Sequence, residues 1–260
     1  MAPAAWRRAV GELVGTALLV TVVVGSGIMA VRLSPDDVGL QLLENSIATA
    51  LGLAAIILMV GPVSGAHLNP VVSAADWWLG RRTGAGLSAA DLGVYVLAQV
   101  AGGIAGAVLA NVMFDLAPVA WSGTDRGQPH RWVGEVVATA GLVLLVFALA
   151  RSGRAAVAPG AVGAYIGAAY WFTSSTSFAN PAVTVGRAFS DTFAGIAPAS
   201  VPGFVAAQLV GLVVGLGLLV ALYPGAGRGV AQVVVPREGV EPARPAAIRS
   251  LGEGDRYGAG

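Results

Sequence analysis

Two stretches of this sequence decide how it folds: Ser64-Gly-Ala-His-Leu-Asn-Pro-Val71 and Phe178-Ala-Asn-Pro-Ala182. Each contains an Asn-Pro pair, at positions 69–70 and 180–181. Asparagine is a strong helix N-cap, and proline suits the first helical position because its missing N–H has no partner there anyway. We therefore expect a short helix to begin at each pair. Each helix should end after about ten residues, too few to cross a bilayer.

The rest of the chain is apolar enough to lie in a membrane. Of its 260 residues 56% are hydrophobic and 11% are charged, whereas a soluble domain carries about 25% charged residues. Six stretches approach the roughly 20 apolar residues that a spanning helix needs: residues 11–31, 46–60, 92–113, 133–150, 157–172 and 201–222. Arg7 and Arg8 before the first stretch also fit a cleaved signal peptide, but Glu12 and the five further stretches favour a span.

Charge placement predicts the topology and excludes several functions. Arginines are concentrated in the segments that are intracellular if the N-terminus is cytoplasmic, so both termini are expected in the cytoplasm, with the protein in the plasma membrane. The net charge of +1 gives no basis for nucleic-acid binding, and the absence of cysteine rules out disulfides and thiolate metal sites. No metal cluster or nucleophile–base pair is visible, so neither a cofactor nor an enzyme is expected. We predict a membrane-spanning domain over residues 1–222 and a flexible cytoplasmic tail over 223–260.

The chain contains an internal repeat, at about residues 8–113 and 131–222. Glu12-Leu-Val-Gly-Thr16 matches Glu135-Val-Val-Ala-Thr139, the two Asn-Pro stretches match, and Ala98-Gln99 matches Ala207-Gln208, all in the same order. Three spans per repeat is an odd number, so the halves are inverted relative to each other, and such repeats place their site near the midplane. Gly102/Gly106 and Gly211/Gly215 predict close packing between the two halves.

Inversion brings the two short helices into the membrane from opposite sides. Irregular backbone at membrane depth is tolerated only when it is buried in protein or lines a wet cavity. The helix N-termini should therefore meet at the midplane, where their positive dipole ends repel cations and the asparagine amides donate hydrogen bonds to a neutral solute.

These motifs resemble those of the aquaporin and aquaglyceroporin family over roughly residues 8–222. The resemblance implies an all-α membrane protein, with six transmembrane helices and two re-entrant half-helices in a right-handed bundle that forms a homotetramer in the lipid bilayer. It also implies a pore lined at the two motifs by Asn69, Pro70, Val71, Asn180, Pro181 and Ala182. For Glu12 and Glu135 it favours hydrogen-bond acceptors that stabilise the re-entrant loops over a proton relay. His67 is expected to be a packed loop residue.

The family's outer filter is placed here by its offsets from the asparagines. These offsets give Thr49, Ala168, Ser177 and Val183, all small, and Val183 stands where the family normally has arginine. The filter should therefore be wide. Arg187, one turn beyond Val183, either lines the outer vestibule or pairs with Asp191 or reaches the headgroups.

The resemblance and the wide filter together predict a passive channel for small neutral solutes. Residues 183–196 resemble a bacterial subgroup associated with arsenic handling, which favours neutral arsenite, with glycerol or a similar polyol as the next candidate. A water-selective pore and, more distantly, an ion-coupled secondary transporter are the alternatives. A transporter needs a coupling site, and the span interiors offer only Glu12 and Glu135 as charges.

Overall fold

The computed structural model describes residues 3–81 and 84–223, which form eight α-helices. They are α1 (Ala5–Leu33), α2 (Val38–Ser64), α3 (Pro70–Gly80), α4 (Ala89–Met113), α5 (Pro129–Arg151), α6 (Ala158–Phe172), α7 (Pro181–Arg187) and α8 (Val201–Leu222). All except α3 and α7 are long and apolar enough to cross a membrane, α6 together with the short 3-10 turn before it. The all-α fold with six spans and two half-helices is thereby confirmed. The predicted tail lies outside the described residues, apart from Tyr223.

The two half-helices begin at the Asn-Pro pairs. Asn69 Oδ1 accepts a hydrogen bond from Val71 N (3.1 Å), and Asn180 Oδ1 accepts from Ala182 N (3.0 Å) and from Val183 N (3.2 Å). Each asparagine is therefore the N-cap of its half-helix, and each proline is the first helical residue. α3 has 11 residues and α7 has 7.

α2 begins eight residues before the predicted span, and its first turns include two polar side chains that are buried, Gln41 and Asn45. Asp37 Oδ1 caps the helix by accepting from Leu40 N (2.9 Å). Asn45, 1% exposed, donates through Nδ2 to Val23 O of α1 (2.9 Å). Hydropathy alone misses these turns, since an asparagine that is hydrogen-bonded inside a bundle scores as if it faced water.

The glycine pairs pack helices within each half, which corrects the expectation that they join the halves. A Cβ added at Gly102 or Gly106 of α4 would collide with backbone oxygens of α1. In the second half, a Cβ at Gly215 of α8 would lie 2.7 Å from Ala140 O of α5, and one at Gly211 2.8 Å from Val136 O. The repeated motif therefore brings the first and last spans of each repeat together.

Contacts between the halves come from other glycines. Gly103 of α4 and Gly186 of α7 face each other backbone to backbone, and a Cβ at Gly103 would lie 2.6 Å from Ala182 O. Gly163 of α6 packs against the backbone of α2 at Ala50. The half-helix α7 is thus seated directly on a span of the opposite repeat.

We name the two ends of the bundle by what they carry. The loop end holds the C-terminus of α1, the 114–128 segment between α4 and α5, and the end of α7. The terminal end holds the start of α1, the end of α3 and the end of α8. The chain order gives the two half-helices opposite directions, as an inverted repeat requires.

Candidate pore and its outer filter

The two asparagines meet at the centre of the molecule, each reaching into the other half. Asn69 Nδ2 donates to Ala179 O (2.7 Å), and Asn180 Nδ2 donates to Leu68 O (2.7 Å). An amide nitrogen carries two hydrogens, so each Nδ2 keeps one N–H with no partner among the described residues. Both asparagines line the central cavity. The pair therefore offers two fixed hydrogen-bond donors to whatever occupies the cavity.

Backbone strain before each motif is held by a buried carboxylate. Leu68 and Ala179 have left-handed φ values of 51° and 48°, which non-glycine residues seldom adopt. Glu12 accepts from Leu68 N (2.6 Å), and Glu135 accepts from Ala179 N (2.8 Å). Glu12 also accepts from His67 N (3.0 Å), and both carboxylates have zero exposure.

Each carboxylate also has a glutamine partner from the last span of its repeat. Gln99 Nε2 donates to Glu12 (2.7 Å), and Gln208 Nε2 donates to Glu135 (2.6 Å). Neither glutamate lines the cavity. These contacts are those of a loop-stabilising acceptor, and nothing in the described part of the chain continues them towards a proton path.

The cavity follows α6 through the protein. Its wall on that helix is Ala158, Val162, Ile166 and Tyr170, one residue per turn, which corresponds to about 18 Å of rise. About 820 Å³ of empty space lies between the lining residues, part of it open to solvent. Most of its wall is aliphatic, contributed by Leu19, Val23, Leu53, Ile57, Val72, Leu142 and Val146.

Three of the four predicted filter residues line this cavity, and Ala168 does not. Thr49, Ser177 and Val183 are all at most 5% exposed and face the cavity. Ala168 is exposed on the outer side of α6. Two residues further along, Tyr170 takes its place, because a two-residue step turns a helix by about 200°. The expectation that Ala168 lines the cavity is thus corrected: Tyr170 lines it instead and adds an aromatic ring to the wall.

The two hydroxyl-bearing residues on α2 and α6 contact each other. Thr49 Oγ1 lies 3.2 Å from Tyr170 OH. Ser177 Oγ, in contrast, is buried with no hydrogen-bond partner in the described residues, although its side chain lines the cavity. A buried hydroxyl without a partner is costly, so this oxygen is available to a solute.

Arg187 is a cavity residue. Its side chain is 2% exposed, its Nε donates to Ala194 O, and its Cζ lies 3.4 Å from the centre of the Phe178 ring. The alternative pairing with Asp191 is not found, since Asp191 instead accepts from Gly123 N (3.0 Å). The two terminal amino groups of Arg187 have no hydrogen-bond partner among residues 3–81 and 84–223. A large, charged side chain therefore lines the same cavity as the small residues Thr49, Ser177 and Val183.

Sequence reasoning missed Phe178, Tyr170 and a second arginine, Arg126. Arg126 lies in the 114–128 segment, is 8% exposed, and places its Cζ 5.0 Å from the centre of the Phe178 ring. No local pattern marks it, because the contact depends on how a long loop folds back over α7. His67 lies at the cavity wall, with Nδ1 3.1 Å from Ser73 Oγ and its ring edge-on to Tyr95.

Taken together, the inverted half-helices, the paired asparagines and the cavity that both asparagines line are the features of a membrane channel. The model of the family described as "Major intrinsic protein" matches residues 1–177. The chain belongs to this family.

Known proteins resemble the chain over most of its length. It is 52% identical to "Aquaglyceroporin AqpS" of Rhizobium meliloti (strain 1021), over 82% of this chain and 88% of that protein. It is 31% identical to the "Glycerol uptake facilitator protein" of Pseudomonas aeruginosa, over 77% and 80%. The solved aquaglyceroporin of Plasmodium falciparum superposes with a TM-score of 0.61 at 20% identity, covering 89% of this chain and 99% of that one. At this low identity, the similarity to the Plasmodium falciparum structure shows a shared fold alone.

Proposed function

We propose that this protein is a passive pore for small uncharged hydroxylated solutes, with arsenous acid and glycerol-like polyols as its substrate class. The observation that carries the proposal is the filter at the loop end. There Arg187 and Ser177 offer unpaired polar groups beside the Phe178 ring and Val183. A solute with hydroxyls on one side and an apolar side fits such a wall.

The energetic problem of such a solute is the loss of its hydration. A hydroxyl that enters an apolar channel without a partner costs on the order of 1–3 kcal/mol. The asparagine N–H groups, Ser177 Oγ and the Arg187 amino groups replace the lost water at successive heights. A cation gains nothing from these groups, since most of them donate and Arg187 carries a positive charge. The pore is therefore expected to select neutral solutes.

One observation favours a water-selective pore as the second candidate. Tyr170 and Arg187 are larger than the residues expected at the filter, and Tyr170 contacts Thr49 across the gap between α2 and α6. A secondary transporter receives no such support. Glu12 and Glu135, the buried carboxylates that such a transporter could use, already accept hydrogen bonds from loop N–H groups and from glutamines.

Stopped-flow measurements on proteoliposomes separate the two candidates. Arsenous acid, glycerol and water should all pass faster than through protein-free liposomes, without any ion gradient. Arg187→Ala should lower the glycerol-to-erythritol permeability ratio by about fivefold or more, because a wider filter discriminates less between polyols. Fast water with both arsenous acid and glycerol excluded would establish the water-selective alternative instead.

The setting of the pore is proposed from the sequence and the family. We place the protein in the plasma membrane with both termini in the cytoplasm, as the arginine distribution indicates. We also propose a homotetramer with one pore in each subunit. Crosslinking in native membranes tests the assembly, and protease access to an epitope at either terminus tests the orientation.

A further inference from the structure

A second arginine, Arg126, lies next to the proposed filter but outside the cavity wall. Arg126 is buried at the loop end, where its Nε donates to Gly195 O (2.8 Å) and its Cζ lies over the Phe178 ring at 5.0 Å. Phe178 is the same ring on which Arg187 stacks. Phe178 also packs edge-on against Phe204, with 5.0 Å between ring centres. One phenyl ring thus links both arginines to α8.

The two arginines also share a short backbone segment. Arg126 donates to the carbonyls of Phe193 (Nη2 to O, 3.5 Å) and Gly195, and Arg187 donates to the carbonyl between them, that of Ala194. Three successive carbonyls therefore accept from the two guanidiniums. The position of Arg187 depends on this segment, and the segment is held from its other side by Arg126.

The loop that carries Arg126 is itself tied down. Arg126 N donates to Ser200 Oγ (3.0 Å), and Ser200 Oγ donates to Asp125 Oδ1 (3.0 Å). Asp125 is exposed, and its pKa is lowered chiefly by the hydrogen bond from Gly127 N, so the carboxylate is charged but engaged with its own loop. Burial, and then the charge of Arg187, lower the pKa of Arg126 to about 9. Among the described residues no carboxylate pairs with Arg126, and carbonyls and a ring face offset its charge.

We propose that Arg126 is a positioning residue for solute selection: it fixes the Phe178 ring and the carbonyls of residues 193–195 against which Arg187 is held at the pore wall. The proposal rests on the proposed function, since Arg187 must meet the solute for its position to matter. Arg126 does not line the cavity. It acts through Arg187 and Phe178.

The test is a double-mutant comparison in proteoliposomes, with the glycerol-to-erythritol permeability ratio as the readout. Arg126→Gln should lower that ratio by about threefold, because the charged hydrogen bonds to the carbonyls of Gly195 and Phe193 and one ring contact are lost. In the Arg187→Ala background the same change should have no further effect on the ratio. A role limited to general stability would lower the flux of both polyols together and leave the ratio unchanged.

The matched control is Arg32→Gln. Arg32 also lies at the loop end, donates to a backbone carbonyl (Phe114 O, 2.7 Å) and sits 5.0 Å from a phenyl ring, but it is exposed and outside the cavity wall. Its replacement should leave the ratio at the wild-type value.

Two outcomes overturn the proposal. One is an unchanged ratio in Arg126→Gln, and the other is an equal effect of that change with and without Arg187. If Arg126→Gln does not fold, Arg126→Lys gives the same readout, because lysine keeps the charge but lacks the planar fork of donors. Failure of the proposed function would give a different result, because proteoliposomes with the wild-type protein would then pass no polyol at all.

Discussion

Single residues around this cavity divide into those that line it and those that hold the backbone. Asn69 and Asn180 do both, because one side of each amide caps a half-helix while the other faces the cavity. Glu12 and Glu135 only hold the backbone, accepting from loop N–H groups that left-handed residues present. Arg187 meets the cavity through amino groups that the described protein leaves unpaired. The stabilising and selecting roles are therefore separable by mutation.

Replacing Glu135 by glutamine tests the backbone-holding role. The new NH₂ group must face at least one of the donors that the carboxylate now accepts from, among them Phe178 N and Ala179 N. We expect Glu135→Gln to lower the free energy of unfolding by about 2 kcal/mol and to lower solute flux with it. Thermal unfolding in detergent measures the loss.

The control for this substitution is Glu44→Gln, because among the described residues the Glu44 carboxylate accepts only from Ser34 Oγ (2.9 Å), and a glutamine oxygen can keep that bond. It should shift the unfolding temperature much less. The proton-relay role would be supported instead if Glu135→Gln were as stable as the wild type and its solute flux responded differently to a proton gradient.

At the scale of elements, the cavity-facing side of α6 decides the width of the filter. Tyr170 faces the cavity, and Ala168 faces outward. We expect Tyr170→Ala to raise glycerol permeability severalfold, because it removes a ring from the constriction and the contact with Thr49. Ala168→Leu should leave glycerol permeability unchanged. If stopped-flow measurements instead show that Ala168→Leu changes glycerol permeability and Tyr170→Ala does not, Ala168 is the filter residue.

The close packing of α7 against α4 can also be tested by mutation. A methyl group at Gly103 would lie 2.6 Å from Ala182 O, in the first turn of α7, the helix that Asn180 caps. Gly103→Ala must displace that half-helix, at a cost of about 1–3 kcal/mol from overpacking, and polyol flux should fall with stability. Gly93→Ala on the same helix meets nothing within 4 Å and should be neutral or slightly stabilising. Equal unfolding temperatures for the two variants would contradict this packing.

The sequence reveals those elements whose signals are local. The half-helices were predictable because Asn-Pro fixes a helix start from two adjacent residues, and the spans because apolar length suffices. Ala168 was misplaced because an offset along the chain assumes a loop length, and here the residue that faces the cavity lies two positions later. Arg126 was not predictable at all, since its contact with Phe178 spans 52 residues and depends on a long loop. The glycine pairs showed close packing but not which helix they pack against.

At the scale of the whole molecule, the inverted repeat gives a pore whose two halves hold the same central donors. Asn69 and Asn180 bond to each other's loops through equal contacts of 2.7 Å, so the centre has no preferred direction. The asymmetry lies at the ends, where His67 and Tyr95 correspond in the repeat to Phe178 and Phe204. Under the proposed function, selection is therefore expected at the loop end, and no carboxylate lines the cavity in the part of the chain that the structure describes.

This arrangement predicts that flux is passive and equal in both directions. Glycerol permeability measured by influx and by efflux should agree, and it should not change when a pH difference or a membrane potential is imposed. The reason is that the only titratable side chains at the wall of the described cavity are His67, Tyr170 and Arg187, and no carboxylate is among them to bind a driving cation. Stopped-flow light scattering with the gradient reversed measures both directions on one preparation. Uphill accumulation of glycerol driven by a proton gradient would exclude a simple pore and require a coupling site in the protein.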